Sequence, residues 1–175
     1  MTDSTHGPRV VVFRHGPAEV RNPARWPDDG LRPLSAKGTQ QTRRVARSLA
    51  RLLGSVSCVA SGPAVRARRT AEILGKQLDP PRRAVLWPEL DMGTTAAPVF
   101  APLRRVARTD RTTVLVGHEP TLAEFVGLAL TGEGVSFARL TKGGAACLEF
   151  PRALRPGSAR LLWLLTRKQL AGGVD

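Results

Sequence analysis

The stretch Val10-Val11-Val12-Phe13-Arg14-His15-Gly16 decides the fold. A β-branched apolar run reads as a buried strand. It stops at Arg-His-Gly, which delivers a cation and an imidazole to the C-terminal edge of the strand. In open α/β sheets that edge is where ligands bind. The same arrangement recurs at Thr113-Val114-Leu115-Val116, followed by Gly117-His118-Glu119-Pro120. Two strand ends, each presenting a His, can bring two imidazoles into one pocket. The charges nearest the first His in sequence are Arg, and that combination points to phosphate chemistry.

Working outward, Arg9 to Phe13 is the first strand, and residues 1–8 read as a flexible tail. Residues 16–33 are rich in Pro, Gly, Asp and Arg and form a loop. Ser35 is placed to cap a helix over Ala36 to Leu53 that Gly54 closes; its apolar positions Val45, Leu49, Leu52 and Leu53 recur at helical spacing. Val56 to Ala60 is a second strand. Pro63 is expected to open the next helix at its first position, and Asp79-Pro80-Pro81 to end it after Leu78. A short strand at Ala84 to Trp87, helices over Ala96 to Ala107 and Pro120 to Leu130, and a late hairpin from Ala145 to Phe150 and Ala159 to Leu165 complete the chain. Strands alternating with helices predict a three-layer α/β sandwich, its central sheet mostly parallel and flanked by helices. One domain over residues 9–175 is expected.

At 175 residues the chain is long enough to bury a substantial core. No apolar run approaches the roughly 20 residues that span a bilayer, and the polar start is unlike a signal peptide, so a cytoplasmic location is expected without membrane association. Cys58 and Cys147 read as buried, reduced thiols. Neither has the His spacing of a zinc site, and His118-Glu119-Pro120-Thr121-Leu122 lacks the second His of a zincin helix. The formal net charge of +13 implies affinity for anions, although an Arg-rich, Ala-rich composition accounts for such an excess equally well.

Two further segments sharpen the reading. Arg32-Pro33-Leu34-Ser35-Ala36-Lys37-Gly38 follows the first loop, and Ser61-Gly62-Pro63-Ala64-Val65-Arg66-Ala67-Arg68-Arg69-Thr70-Ala71 follows the second strand. With the two His-bearing strand ends, in this order, they resemble the histidine phosphatase superfamily, whose fold is phosphoglycerate mutase-like. Within it the chain looks most like the small SixA type, described as phosphohistidine phosphatases. The resemblance implies a hydrolase that works through a covalent phosphohistidine on His15 and needs no metal or other cofactor. Arg14 and Arg66 would grip the phosphoryl oxygens, Gly16 would shape the pocket, and His118 would donate to an oxygen as charge spreads in the transition state. Glu89 lies where many members place an acidic residue that protonates the leaving group, with Asp91 two residues on. Arg32 is a further candidate for the phosphate pocket, against the plain alternative of a loop Arg. Only the resemblance singles out Arg66 from Arg68 and Arg69. Gly62 departs from the family pattern, which often has a Ser there; Ser61 is the adjacent hydroxyl.

The expected partner is a phosphorylated substrate: a small phosphate ester, a phosphoprotein or polyphosphate. About 28 residues separate Glu89 from His118, little room for the capping insertion of larger mutase relatives. That favours hydrolysis in an open site over a phosphomutase. A polyanion- or nucleic-acid-binding protein without turnover is the third reading. The aromatic content of 5%, with no Tyr, counts against nucleic acid.

Overall fold

The computed structural model describes residues 6–136 and 138–172, with the side chain of Arg83 left aside. Strands β1 (Arg9–Arg14), β2 (Val56–Ser61), β3 (Arg82–Leu86), β4 (Thr112–Gly117), β5 (Ala145–Glu149) and β6 (Arg160–Leu165) form one sheet. Its order is β3-β2-β4-β1-β5-β6. The first four strands in that order are parallel; β5 runs antiparallel to β1, and β6 antiparallel to β5. The helices are α1 (Ala36–Leu52), α2 (Val65–Leu78), α3 (Phe100–Val106), α4 (Thr121–Thr131) and the short α5 (Arg167–Leu170). The expected mostly parallel sheet between helical layers is present.

Alternation along β1 divides the core. Val10 and Val12 join Leu115, Leu122, Phe125 and Leu103 on the α3–α4 side, whereas Val11 and Phe13 join Val45, Leu49, Leu74 and Val116 on the α1–α2 side. All four β1 side chains are fully buried. Covering both faces explains why this strand reads as an unbroken apolar run, and each such side chain contributes about 1.5–3 kcal/mol. Cys58 and Cys147 are buried, free thiols, and burial pushes Cys147 up to about 11.

Crossovers from β1 and β4 leave in opposite directions. The chain passes from β1 through α1 to β2, across β4; from β4 it passes through α4 to β5, on the far side of β1. The C-terminal ends of β1 and β4 therefore flank the switch point of the sheet, where a crevice forms. Register completes the placement. Arg14 pairs with Gly117, and the ladder runs one step past the strands through His15 N–H donating to Gly117 O at 3.1 Å.

Two boundaries differ from expectation in ways that matter. The α2 helix begins at Val65, because the carbonyl of Ala64, not Pro63, accepts the first helical bonds from Ala67 and Arg68. Arg66 thus falls in the first turn, where side chains lean back towards the helix start and the sheet edge. The segment expected as one helix over Ala96 to Ala107 is a 3₁₀ turn at Ala97–Val99 followed by α3. Its Val99, Phe100 and Leu103 are core residues, so the connection between Glu89 and His118 is spent on the sheet's own helical layer. Of the expected tail, residues 1–5 lie outside the described residues, while the Pro8 carbonyl accepts from Phe150 N–H.

Candidate active site

His15 and His118 meet at the switch point with ring centroids 4.9 Å apart. Both are buried, as is Arg66. His15 Nδ1 lies 2.7 Å from the carbonyl oxygen of Gly16. A carbonyl only accepts, so Nδ1 carries the proton and Nε2 keeps its lone pair. Arg66 Nε–H donates to that Nε2 at 3.3 Å, in agreement with this tautomer. Burial is the main cause that lowers His15 to about 3, helped by His118. His118 is likewise lowered to about 3, by burial and then by Arg66 and Arg14. Both imidazoles are neutral at pH 7.

The supports of His15 come from three elements. Gly16 N–H donates to Thr70 Oγ1 at 3.0 Å, and Thr70 in turn donates to the carbonyl of Arg66 at 2.7 Å. One α2 hydroxyl thereby ties the His-bearing turn to the Arg-bearing turn. A Cβ on Gly16 would lie 2.1 Å from Thr42 Oγ1 of α1, so any other residue there displaces that hydroxyl from its hydrogen bond to the Gly38 carbonyl. From the other side, Gly143 N–H donates to the carbonyls of Arg14 and His15 at 3.1 and 3.0 Å.

The arginines are held in different ways. Arg14 donates through Nη1 to the Leu140 carbonyl at 2.9 Å, and its Nε is buried with no partner among the described residues. His118 Nε2 is in the same state. Arg66 donates to Asp29, through Nη1 to the backbone oxygen at 2.6 Å and through Nη2 to Oδ2 at 2.9 Å. Arg32 donates to the same carboxylate through Nε at 2.8 Å and to the Glu19 carbonyl at 2.7 Å. The structure thus brings Arg32 into the cluster around Arg66.

Of the two candidate acids, Glu89 makes no described side-chain contact with His15, His118, Arg14 or Arg66; its carbonyl accepts from Thr94 Oγ1. Asp91 acts electrostatically on Arg66. The departure at Gly62 also has a geometric reason: a Cβ there would lie 2.3 Å from the Leu90 carbonyl oxygen. Ser61 Oγ is buried without a partner among the described residues.

Sequence reasoning missed Asp29 and Glu119. Asp29 is the hub between Arg32 and Arg66, and the Arg32 hydrogen bond keeps its carboxyl below the usual range. The available signal was a carboxylate three residues before Arg32 in an Arg-rich loop. Glu119 accepts from Leu140 N–H at 2.7 Å and Ala123 N–H at 3.3 Å, and so braces the carbonyl-bearing segment that Arg14 holds. Its signal was adjacency to His118. Among the described residues, no group of three His, Cys, Asp or Glu side chains is placed to hold a metal ion.

Fold and site together define an α/β protein with two neutral imidazoles and a set of arginines at adjacent parallel strand ends. The chain belongs to the histidine phosphatase superfamily (branch 1), whose family model matches residues 10–98. It is 35% identical over 152 residues to an uncharacterized protein of Picosynechococcus sp., covering 87% of each chain. It is 29% identical over 126 residues to phosphohistidine phosphatase SixA of Escherichia coli, covering 71% of this chain and 76% of that one. Among solved structures, SixA complexed with tungstate superimposes with a TM-score of 0.77 at 24% identity, over 93% of this chain and 99% of the other. A mycobacterial glucosyl-3-phosphoglycerate phosphatase gives 0.65 at 19% identity, over 91% and 99%. These two structures show a shared fold. The family and its phosphatase relatives support a phosphatase acting on a phosphorylated substrate.

Proposed function

We propose that this protein is a metal-independent phosphatase that hydrolyses a phosphate monoester or a phosphohistidine, free or on a protein, through a covalent phosphohistidine at His15. The observation that carries this reading is the fixed tautomer of His15. The Gly16 carbonyl accepts a hydrogen bond from His15 Nδ1–H, which keeps the proton on Nδ1 and leaves an unprotonated Nε2 facing the crevice. A neutral imidazole held this way is a competent nucleophile, and a covalent intermediate splits one difficult transfer into two easier ones.

The surrounding groups are suited to a phosphoryl transition state, in which charge spreads over the equatorial oxygens. Arg66 now donates Nε–H to His15; an incoming phosphoryl oxygen takes that donor and frees the Nε2 lone pair for attack on phosphorus. Arg14 supplies its Nε–H and His118 its Nε2, as a donor in the Nε2–H tautomer; neither atom has a partner among the described residues. Helix α2 starts without a side-chain cap, so its first amides and positive end also favour an anion there. Water then attacks the phosphohistidine and releases orthophosphate. Glu89 and Asp91 remain the candidates for protonating a poor leaving group, and Asp29, held ionised by Arg32 and Arg66, is unsuited to it.

The test is hydrolysis of an aryl phosphate with EDTA present. The parent is expected to turn over, His15→Ala to lose at least about 10⁴-fold, and the parent to trap an acid-labile, base-stable phosphoenzyme. Full activity in His15→Ala would overturn the mechanism. A comparison of phosphohistidine protein with small esters then assigns the substrate. A cytoplasmic site of action is part of this proposal; no helix among the described residues is long and apolar enough to cross a membrane.

A further inference from the structure

Beside the His15 crevice, and sharing Arg14 with it, lies a cavity of about 820 Å³. Its walls come from the turn after β1, the start of α1, the segment before β5 and the start of α5. Arg14, Lys37, Arg139, Lys142 and Arg167 line it, with Gln41 and Leu140, and none of its described lining residues is Asp or Glu. Arg167 donates to Gln41 across the cavity wall. The groove on the other side of Arg14, by contrast, includes Glu119.

We propose that this cavity is an accessory phosphate subsite, and that the substrate is a linear oligophosphate whose terminal phosphoryl group reaches His15 while the following phosphates lie among Lys37, Lys142 and Arg167. The inference rests on the phosphatase reading above and names its substrate class. Like charges gathered in a concavity repel one another, and a polyanion relieves that cost. The strain is visible at Lys142: although the residue is largely exposed, partial desolvation of its ammonium lowers its pKa first, and Arg14, Arg32 and Arg66 lower it further. The shape selects the occupant. A cavity of this size falls within the roughly 300–1,000 Å³ of small-ligand sites, whereas a protein partner needs a broad surface of about 800 Å². The chemistry agrees with the absence of a described acid contact at Glu89. As the His15 Nε2–P bond forms, the bridging P–O bond breaks and its electron pair stays on the shortened chain as a phosphate oxygen, which needs no proton from the protein. Water then attacks the phosphohistidine, giving orthophosphate and returning a proton to solvent.

The experiment compares kcat/KM for tripolyphosphate and for an aryl phosphate in the parent and in a Lys37→Ala/Lys142→Ala variant. Both lysines are exposed, so the fold should survive, and thermal melting checks it. The preference for tripolyphosphate is expected to fall about 100-fold, roughly tenfold per lost charged hydrogen bond, mainly through KM. Calorimetry with tripolyphosphate and orthophosphate on His15→Ala, with and without the two lysine changes, measures the subsite without turnover. Lysine-dependent binding of tripolyphosphate to His15→Ala supports the subsite even if the parent hydrolyses nothing, in which case the phosphatase reading alone falls. Turnover of aryl phosphate with an unchanged preference in the lysine variant overturns the subsite and leaves the phosphatase. Lysine dependence confined to an acidic phosphopeptide overturns it in favour of a protein substrate.

Discussion

The ends of β1 and β4 are built alike and finished differently. Each is a buried Val-rich strand, each runs into a buried His, and the ladder from Arg14 to Gly117 sets the two side by side. At the β1 end both ring nitrogens of His15 are engaged, Nδ1 by the Gly16 carbonyl and Nε2 by Arg66. At the β4 end, His118 Nε2 has no partner among the described residues. Identical residues in equivalent positions thus differ in what their protons are fixed to do. A lone pair locked towards the crevice suits the attacking atom. A ring with an unclaimed nitrogen suits a donor to the group under attack.

Replacement of His118 is the strongest challenge to that contrast after His15→Ala. The amide of His118→Asn reaches only about as far as the ring's Nδ1, so the variant removes the donor at the Nε2 position. We expect kcat for an aryl phosphate to fall about 10²–10³-fold, the range for removing one donor to a transition-state oxyanion, with phosphoenzyme still formed in a single turnover. Rapid-quench measurement of the phosphoenzyme checks this. If His118→Asn abolished phosphoenzyme formation while His15→Ala retained it, the two roles would be reversed.

The contrast was partly legible in the sequence, for a physical reason. Apolar runs that end in Arg-His-Gly and Gly-His-Glu record strand burial and strand termination locally, so both His positions and the α/β class followed from short-range pattern. Arg66 is different: nothing local separates it from Arg68 and Arg69, and family resemblance alone picked it out. The fold explains the choice, since a start at Val65 rather than Pro63 puts Arg66 in the first turn of α2 beside the sheet edge. Asp29 was hard to read because Arg32, its neighbour in the loop, shows only a local ion pair, and the partner that ties it to the site, Arg66, lies in a separate segment. The loop over residues 16–33 carries no periodicity, and the 37-residue separation from Arg66 is closed only by tertiary structure.

That hidden carboxylate supplies the next test. Asp29 holds the two Nη groups of Arg66 and so aims Nε at the crevice. Asp29→Asn keeps an acceptor but removes the charge. Activity on an aryl phosphate is expected to fall about tenfold, the worth of one charge-assisted hydrogen bond at a partly exposed site. Arg66→Ala should cost more, and the double variant should cost little beyond Arg66→Ala alone, because Asp29 acts through Arg66. Additive losses in that cycle would separate Asp29 from Arg66 and place its effect elsewhere, at Arg32 or on substrate.

The smallest expected change is in protonation, where the two imidazoles should behave alike despite their different hydrogen bonds. Burial depresses both to about 3, so neither should titrate between pH 8 and pH 5, and their Cε1–H resonances should stay fixed across that range in NMR spectra. The acid limb of kcat/KM should then follow the second ionisation of the phosphate, near pH 6 for an ester, and not a histidine of the free enzyme. Stability carries the opposite mark of the same fact. Unfolding restores an ordinary His that takes up a proton near pH 6.5, whereas the folded rings wait until about pH 3. Between those values the unfolded chain binds more protons, so stability is lost as pH falls, by at most about 1.4 kcal/mol per pH unit for each ring. Urea midpoints at pH 7 and pH 5 read this directly, and His118→Asn should shrink the difference because it removes one of the two groups. An undiminished pH dependence in that variant would show that the acid sensitivity lies in other residues, and a ring resonance that moved near pH 6.5 would show that the crevice leaves His15 or His118 free to charge.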